Sequence, residues 1–159
     1  MNARVGFGYD IHPVVQGLPL VLGGERFDSD WGLDGHSDAD VLLHAVGDAL
    51  LGAASLGDLG THFPPSDARW KDASSLDLLR RIAALLGERG ARIVNVDATL
   101  IAERPRLAPA RERVCANIAS ALGIEAGRVS VKATTNERLG SVGRGEGLAA
   151  CAVAMVELP

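Results

Sequence analysis

The spacing of apolar residues along the chain predicts which segments form strands. Short segments that are alternating or continuously apolar, and bounded by Gly or Pro, are typical of β-strands. Such segments lie at residues 4–11, 18–22, 92–102, 129–135 and 148–158. The last of them is apolar at both odd and even positions, so we expect both of its faces to be covered.

Three other segments carry apolar residues every three or four positions, which is the helical period. They predict helices over residues 38–55 and 74–88 and a third helix that ends near residue 122. Ser37 is the expected N-cap of the first helix. Segments rich in Gly, Asp and Pro predict loops at 25–36 and 57–65 and a hairpin-like turn at 140–147. That last segment is not a Walker A loop, because no Lys-Ser or Lys-Thr follows its glycines.

The order of these elements predicts the fold class. Strands and helices are mixed without strict alternation, which favours an α+β fold of two layers, with helices on one face of one mixed β-sheet. No repeat, linker or low-complexity stretch divides the sequence, and we predict a single domain over residues 1–159. Because the helices suffice for one face only, we expect other subunits to cover the second face of the sheet.

Composition and charge narrow the functional classes. The chain is 47% hydrophobic and 23% charged, and its net charge of −4 argues against a nucleic-acid-binding protein. No apolar run approaches the length of a membrane span, and the amino terminus enters a strand pattern rather than a signal core. Cys115 and Cys151 have no metal-binding or redox spacing, which predicts buried structural thiols in a cytoplasmic protein.

An acid and a histidine fall on one face of the first predicted strand. Asp10 and His12 are two residues apart, and side chains at that spacing project from the same side of a strand. A carboxylate and an imidazole placed side by side are ready ligands for a divalent metal such as zinc. The alternative is that Asp10 caps a turn and His12 is a surface residue.

A second polar group lies along the first predicted helix. Asp40, His44 and Asp48 recur every four residues and form a stripe opposite the apolar face. Short acids and a histidine among Ala, Leu and Gly favour a pocket, although a helical His is more often a packed or surface residue. His44 is therefore a candidate third ligand, with Asp40 or Asp48 holding its second ring nitrogen. Three ligands leave the open position that catalytic zinc requires.

Two further groups have the chemistry to bind phosphate. His36 and Ser37 precede the first predicted helix, where backbone N–H groups form an anion seat, although N-capping by Ser37 explains the same pattern. Lys132 and the hydroxyls of residues 134–135 lie at the end of a predicted strand and suit a phosphate or a base edge. Glu137 suits a hard cation such as Mg²⁺.

Eight short motifs, taken in order, closely resemble those of the 2-C-methyl-D-erythritol 2,4-cyclodiphosphate synthases. They are Gly-x-Gly-x-Asp-x-His at 6–12, His-Ser-Asp-x-Asp-x-x-x-His at 36–44, Asp-Ala-Leu-Leu-Gly-Ala at 48–53, Leu-Gly-Asp-Leu-Gly at 56–60, Asn-Val-Asp at 95–97, Pro-Arg-Leu at 105–107, Val-Lys-Ala-Thr-Thr at 131–135 and Gly-Arg-Gly-Glu-Gly at 143–147. Any one of them is weak, but eight in order with matching gaps cover the chain from end to end.

The resemblance implies an enzyme that acts as a homotrimer, with active sites between subunits. The implied substrate is 4-diphosphocytidyl-2-C-methyl-D-erythritol 2-phosphate, and the products are the 2,4-cyclodiphosphate and CMP. The reaction is an intramolecular phosphoryl transfer, in which catalysis is mostly positioning and charge neutralisation. The resemblance assigns Asp10, His12 and His44 to zinc and Glu137 to a second divalent ion, Mg²⁺ or Mn²⁺.

The same resemblance assigns the substrate-binding residues. His36 and Ser37 match residues that hold the substrate phosphates, and Asp58 and Gly60 match residues near the methylerythritol group. The cytidine and diphosphate pocket corresponds to Ala102, Pro105, Arg106, Leu107, Ala108, Ala133, Thr134 and Thr135. Lys132 and Arg144 complete the predicted substrate-binding set. The predicted catalytic residues are His36, Ser37, Thr135 and Glu137.

The sequence departs from the family pattern at three positions. Pro65 replaces a frequent Asp, Asn136 a common Thr, and Ser141 a bulky residue of the central trimer cavity. The first two bear on substrate geometry and the third on any isoprenoid-like cavity ligand. Two rival functions are a zinc phosphohydrolase, which would use the same three ligands and release inorganic phosphate, and a trimeric sensor that holds a cytidine nucleotide without turnover. The set of Asp10, His12 and His44 argues against the sensor, because a sensor has no need of an open zinc site.

Overall fold

The structure, a computed structural model, describes residues 2–159 of the chain. Its strands are β1 (Asn2–Gln16), β2 (Leu20–Leu22), β3 (Glu25–Phe27), β4 (Trp31–Leu33), β5 (Arg92–Ile101), β6 (Val129–Thr134) and β7 (Gly147–Leu158). Its α-helices are α1 (Val41–Ala53), α2 (Leu59–His62), α3 (Ser75–Glu88), α4 (Arg111–Leu122) and α5 (Gly140–Gly143). Single 3₁₀ turns lie at Ala68–Trp70, Ala108–Ala110 and Ala126–Arg128.

Five strands form the main sheet, in the order β4-β1-β7-β5-β6. β5 and β6 run parallel, and the other neighbours run antiparallel. α1 lies against β1 and β7, α4 lies against β6, and α3 packs on both helices. The predicted α+β fold, one mixed sheet with helices on one face, is confirmed; β2 and β3 add a small separate hairpin.

Two glycines of β1 allow α1 to lie directly on the sheet. A Cβ added at Gly6 would lie 2.0 Å from the carbonyl oxygen of Ala49, and one added at Gly8 would lie 2.0 Å from that of Ala45. Both distances are far shorter than any van der Waals contact, so only glycine permits this approach. The glycines share a face of β1 with Asp10 and His12, because side chains alternate along a strand. The close contact of α1 therefore continues toward the candidate ligands.

The second face of the sheet carries a row of exposed apolar side chains. Val5, Phe7, Tyr9 and Ile11 of β1 are between 44% and 66% exposed. They stand opposite residues 155, 153, 151 and 149 of β7. The alternate residues of β7, from Leu148 to Val156, are buried under the helices. Within residues 2–159 nothing covers the row on β1, and the predicted cover by other subunits stays a prediction.

The connections differ from the sequence prediction in three places. The predicted loop at 25–36 contains β3 and β4, and β1 extends to Gln16 so that its end pairs with β4. The predicted hairpin-like turn is wrong, because β5 lies between β6 and β7 and the glycine-rich segment contains α5. Short strands and crossovers of this kind depend on tertiary pairing, which local residue patterns do not encode.

The start of α1 also differs from the prediction. Asp40 is its N-cap, and its side chain accepts a hydrogen bond from Leu43 N at 3.1 Å. Ser37 is therefore not the cap, and the helix begins at Val41 rather than near residue 38. Cys115 and Cys151 are half-buried free thiols rather than fully buried ones. No helix within residues 2–159 is long and apolar enough to cross a bilayer.

Candidate active site

Three side chains from β1 and α1 converge where the helix crosses the strand. Asp10 Oδ2 lies 2.8 Å from His12 Nε2 and 2.9 Å from His44 Nδ1, and the two ring nitrogens are 3.1 Å apart. Ligand atoms on a tetrahedral zinc with bonds of about 2.0–2.1 Å lie about 3.3 Å from one another. These residues therefore form a group that can hold a metal ion, as the sequence predicted.

The hydrogen bonds of His12 orient its ring toward this group. His12 Nδ1 lies 2.7 Å from the carbonyl oxygen of Asp34, which can only accept, so Nδ1 carries the proton. Nε2 is then the ring nitrogen that faces the other two ligands and is available to a metal ion. Backbone carbonyls serve metal-binding histidines in this way, by fixing the tautomer.

Asp10 is ionised across the physiological range. Burial opposes its charge, but hydrogen bonds from His12 and His44 outweigh burial and lower its pKa from 3.8 to about 2. Burial lowers the pKa of His12, while the hydrogen bond to Asp10 raises it, and the net direction is upward. A permanent carboxylate between two imidazoles is a donor set that suits a divalent cation.

The predicted partners of the second ring nitrogen of His44 are wrong. His44 Nε2 faces Ser37 Oγ at 2.9 Å and Ser75 Oγ at 3.0 Å, and neither Asp40 nor Asp48 bonds to it. Sequence reasoning missed Ser75, because a serine at the start of a predicted helix gives no sign of what its side chain contacts.

The two acids of the helical stripe have structural partners instead. Asp40 is fully buried and accepts from the backbone N–H groups of Gly23 at 2.9 Å and Gly24 at 2.8 Å. Burial raises the pKa of Asp40 from 3.8 to about 6. Asp48 accepts from Leu59 N at 2.8 Å, and burial is the main cause that raises its pKa. Of the two, only Asp48 faces the candidate site, so the predicted stripe is split.

A cavity of about 250 Å³ opens beside the three candidate ligands. Residues from four parts of the chain line it: Asp10, His12, His36, Ser37, His44, Asp48, Leu59, Gly60, Phe63, Pro65, Trp70 and Leu78. The structure thus brings His36, Ser37 and Gly60 to the metal-binding group. Asp58 is not a lining residue; its side chain caps α2 and accepts from Thr61 N at 2.8 Å.

A second cavity, of about 320 Å³, lies at the carboxyl ends of β5 and β6. The eight residues assigned to the cytidine pocket all line it, and Glu103 and Arg111, which sequence reasoning missed, join them. Ala102 N donates to Thr134 O at 3.0 Å, which extends the parallel ladder to the rim. Parallel strands commonly present ligand sites at their carboxyl ends. This cavity has no lining residue in common with the first.

The remaining predicted site residues lie outside both cavities. Glu137 is exposed near Thr135, whose hydroxyl lies 3.4 Å from Glu137 Oε1, and it does not join the group around Asp10. Lys132 pairs with Asp97. Arg144 pairs with Glu146 at 2.6 Å and lines a third cavity, of about 260 Å³, beside Trp31 and Arg104.

This chain has close counterparts among known proteins. A model of the YgbB family matches residues 3–157. The 2-C-methyl-D-erythritol 2,4-cyclodiphosphate synthase of Symbiobacterium thermophilum is 60% identical over 152 residues, which cover 96% of this chain and 97% of the relative. The bifunctional IspDF of Campylobacter jejuni has a TM-score of 0.95 at 37% identity, over 99% of this chain and 43% of that chain.

A solved structure of a smaller relative completes the comparison. The CDP complex of IspF from Plasmodium falciparum has a TM-score of 0.87 at 31% identity, and the match covers 99% of this chain and 97% of that chain. The family match spans nearly all of the described residues, and the curated relative matches along almost its entire length. The resemblance to the 2-C-methyl-D-erythritol 2,4-cyclodiphosphate synthases is thereby confirmed, and the chain belongs to the YgbB family.

Proposed function

We propose that the chain converts 4-diphosphocytidyl-2-C-methyl-D-erythritol 2-phosphate into 2-C-methyl-D-erythritol 2,4-cyclodiphosphate and CMP, in the non-mevalonate route to isoprenoid precursors. An oxygen of the 2-phosphate forms a bond to the β-phosphorus, and the bond between that phosphorus and the bridging oxygen breaks. CMP leaves with the bridging oxygen, so the enzyme is a phosphorus–oxygen lyase. The observation that carries the proposal is the group of Asp10, His12 and His44 beside a cavity, in a chain of this family.

The attacking phosphate oxygen is already an anion, so this reaction needs no general base. Catalysis then consists of positioning and of neutralising the repulsion between two phosphates. His36 and Ser37 line the cavity beside the metal-binding group. In this proposal they donate hydrogen bonds to the phosphates, and Gly60 and Asp58 lie at the methylerythritol end.

Zinc is the ion that we assign to the three ligands. Two imidazoles and one carboxylate with an open fourth position are a catalytic zinc set. Bound there, the ion supplies Lewis-acid stabilisation of phosphate charge. We assign Mg²⁺ or Mn²⁺ to Glu137, since hard cations prefer carboxylate oxygens. The hydroxyl of Thr135 orients the Glu137 carboxylate in this assignment.

The cavity at the ends of β5 and β6 is the proposed site for the cytidine diphosphate group. The relative from Plasmodium falciparum forms a complex with CDP, which supports this assignment. Lys132 and Arg144 are proposed to contact substrate as well. Lys132 now pairs with Asp97, and Arg144 pairs with Glu146, so each cation has to leave its carboxylate partner to bind a substrate phosphate.

A homotrimer in the cytoplasm is the proposed working form. The two cavities have no lining residue in common, so a single chain gives no sign of how one substrate reaches both. The exposed row Val5, Phe7, Tyr9 and Ile11 offers an apolar face for subunit contact. Three copies packed by this face can place the nucleotide cavity of one chain beside the metal-binding group of its neighbour.

The test is a product analysis on the purified protein with zinc and Mg²⁺. Phosphorus NMR of a reaction with the diphosphocytidyl substrate should show CMP and a cyclic diphosphate in equal amounts, without inorganic phosphate. His44→Ala, which removes one proposed zinc ligand, should abolish both products. Release of inorganic phosphate would identify a phosphohydrolase instead, and tight CDP binding without turnover would identify a sensor.

A further inference from the structure

Behind His44, on the side away from Asp10, lie a buried serine and a carboxylate. Ser75 is the first residue of α3 and is 1% exposed, and its Oγ lies 3.0 Å from His44 Nε2. Asp38 accepts twice from this serine: its Oδ1 from the hydroxyl, and its Oδ2 from the backbone N–H at 2.9 Å. A continuous chain of contacts therefore runs from Asp38 through Ser75 to the imidazole of His44.

The number of available protons fixes the direction of the hydrogen bonds between Asp38, Ser75 and His44. A serine hydroxyl has one proton, and the contact with the Asp38 carboxylate, which can only accept, takes it. The Ser75 oxygen can then meet His44 Nε2 only as an acceptor. Nε2 therefore presents an N–H to Ser75, which makes Nδ1 the ring nitrogen that is available to a metal ion.

His44 Nδ1 faces the point where the other ligands meet. His44 Nδ1 is the atom that lies 2.9 Å from Asp10 Oδ2 and 3.1 Å from His12 Nε2. On His12 the carbonyl of Asp34 imposes the opposite tautomer, with the proton on Nδ1. Both rings are thus held with a metal-binding nitrogen toward one point, each by an acceptor behind it.

Ser37, the other hydroxyl near His44 Nε2, is less able to fix the tautomer. It lies 2.9 Å from Nε2, but it is half-buried at the cavity and receives only a long contact from Ala39 N, at 3.4 Å. Its own proton has no carboxylate to bind, so it can either donate to Nε2 or accept from it. Only the path through Ser75 specifies the direction.

We propose that Ser75, backed by Asp38, is a positioning residue that accepts from the Nε2–H of His44, keeps Nδ1 of that ring directed at the metal ion, and so sets the affinity of the three ligands for that ion. This inference rests on the metal site of the proposed function. Loss of an outer hydrogen-bond partner of a metal-binding histidine typically costs 10- to 100-fold in metal affinity. The contact between Ser75 and His44 also joins the metal ligand to the first turn of α3, a helix that supplies no ligand itself.

The experiment compares variants by zinc affinity and by the NMR signal of the His44 Nε2–H. Ser75→Ala removes the acceptor, and its dissociation constant for zinc, measured against a chromogenic chelator, should rise by roughly 10- to 100-fold. Ser75→Thr keeps the hydroxyl and should restore most of the affinity. Ser74→Ala is the matched control, because the Ser74 side chain makes no capping hydrogen bond. Asp38→Asn removes the carboxylate that accepts the proton of Ser75, and it should weaken zinc binding as well.

A second measurement separates positioning from general loss of structure. Proton–nitrogen NMR of the zinc-loaded protein, with the His44 signals assigned by comparison with His44→Ala, should show a hydrogen-bonded Nε2–H in the wild type, and in Ser75→Ala that signal should move upfield or be lost to exchange with water. Wild-type zinc affinity and an unchanged His44 Nε2–H signal in Ser75→Ala would overturn the inference and leave the metal site standing. A wild-type chain that binds no zinc, or a His44→Ala chain that binds it equally well, would defeat the proposed metal site itself.

Discussion

Gly8→Ala should damage the candidate site without touching any of its ligands. The added Cβ would lie 2.0 Å from Ala45 O and 2.8 Å from Ala49 N, both backbone atoms of α1. A close carbon–oxygen contact is about 3.3 Å, so α1 has to retreat from β1 by roughly 1.3 Å. Neither backbone atom can rotate away, and the whole helix has to move.

The retreat carries His44 with it, because His44 immediately precedes Ala45. The ligand atoms are now 2.8–3.1 Å apart, and a metal site tolerates deviations of about 0.2 Å from its ideal distances. A displacement of this size should raise the zinc dissociation constant by about 100-fold, the upper end of what disturbed support of a ligand costs in metal affinity. Overpacking against backbone should also destabilise the chain by about 3 kcal/mol, the upper end for such changes.

Zinc competition and urea unfolding of the metal-free protein, at equal chain concentrations, measure the two effects. Gly52→Ala is the matched control, because an added Cβ there meets nothing within 4 Å. Gly52 lies in α1, where alanine favours the helix by about 0.5–1 kcal/mol. If Gly8→Ala unfolds at the wild-type urea midpoint and keeps wild-type zinc affinity, the argument from close approach is wrong.

Three further predictions test the nucleotide cavity, the assembly and a buried acid. CDP should bind well and UDP or ADP poorly, because a site that pairs with one base edge leaves buried groups unpaired with another; equal affinities in calorimetry would contradict this. His44→Ala and Thr134→Arg chains, each inactive, should regain roughly a quarter of wild-type activity when unfolded and refolded together, since one interface in each mixed trimer is intact. A fully active monomer in light scattering would rule the arrangement out. Burial raises the pKa of Asp40 from 3.8 to about 6, so the folded chain keeps a proton that the unfolded chain releases between these values. Relative to Asp40→Asn, the wild type should therefore lose stability in urea as the pH rises through this window, and parallel stability curves would refute the assignment.

The sequence predicts the metal-binding group well because its spacing rules are local. Asp10 and His12 share a face wherever residues 10–12 form a strand. His44 requires only that the helix that carries it begin near that strand. The two glycines before them are also visible in the sequence. Their purpose is not, since it appears only when α1 lies on β1 and leaves no space for a Cβ.

The errors arise where partners come from distant parts of the chain. Asp40 looks like a pocket residue in the helical pattern, yet it binds the backbone of Gly23 and Gly24, which a separate hairpin brings to it. Ser75 reaches His44 only through the packing of α3 on α1. The residue pattern within one element does not predict such contacts. Strand β4 and the position of β5 between β6 and β7 also depend on distant partners, and the sequence did not predict them for that reason.

The parallel pairing of β5 and β6 affects how freely the proposed nucleotide site can change in evolution. Four of the ten residues that line the rim at their carboxyl ends present little beyond their main chain: Ala102, Pro105, Ala108 and Ala133. Main-chain donors and acceptors are the same whatever residue is present, so random substitution alters their chemistry very little. The group of Asp10, His12 and His44 has no such protection, because each of its ligand atoms belongs to a side chain. A competitive ligand directed at the rim should therefore meet fewer single substitutions that abolish its binding than one that relies on the three ligands.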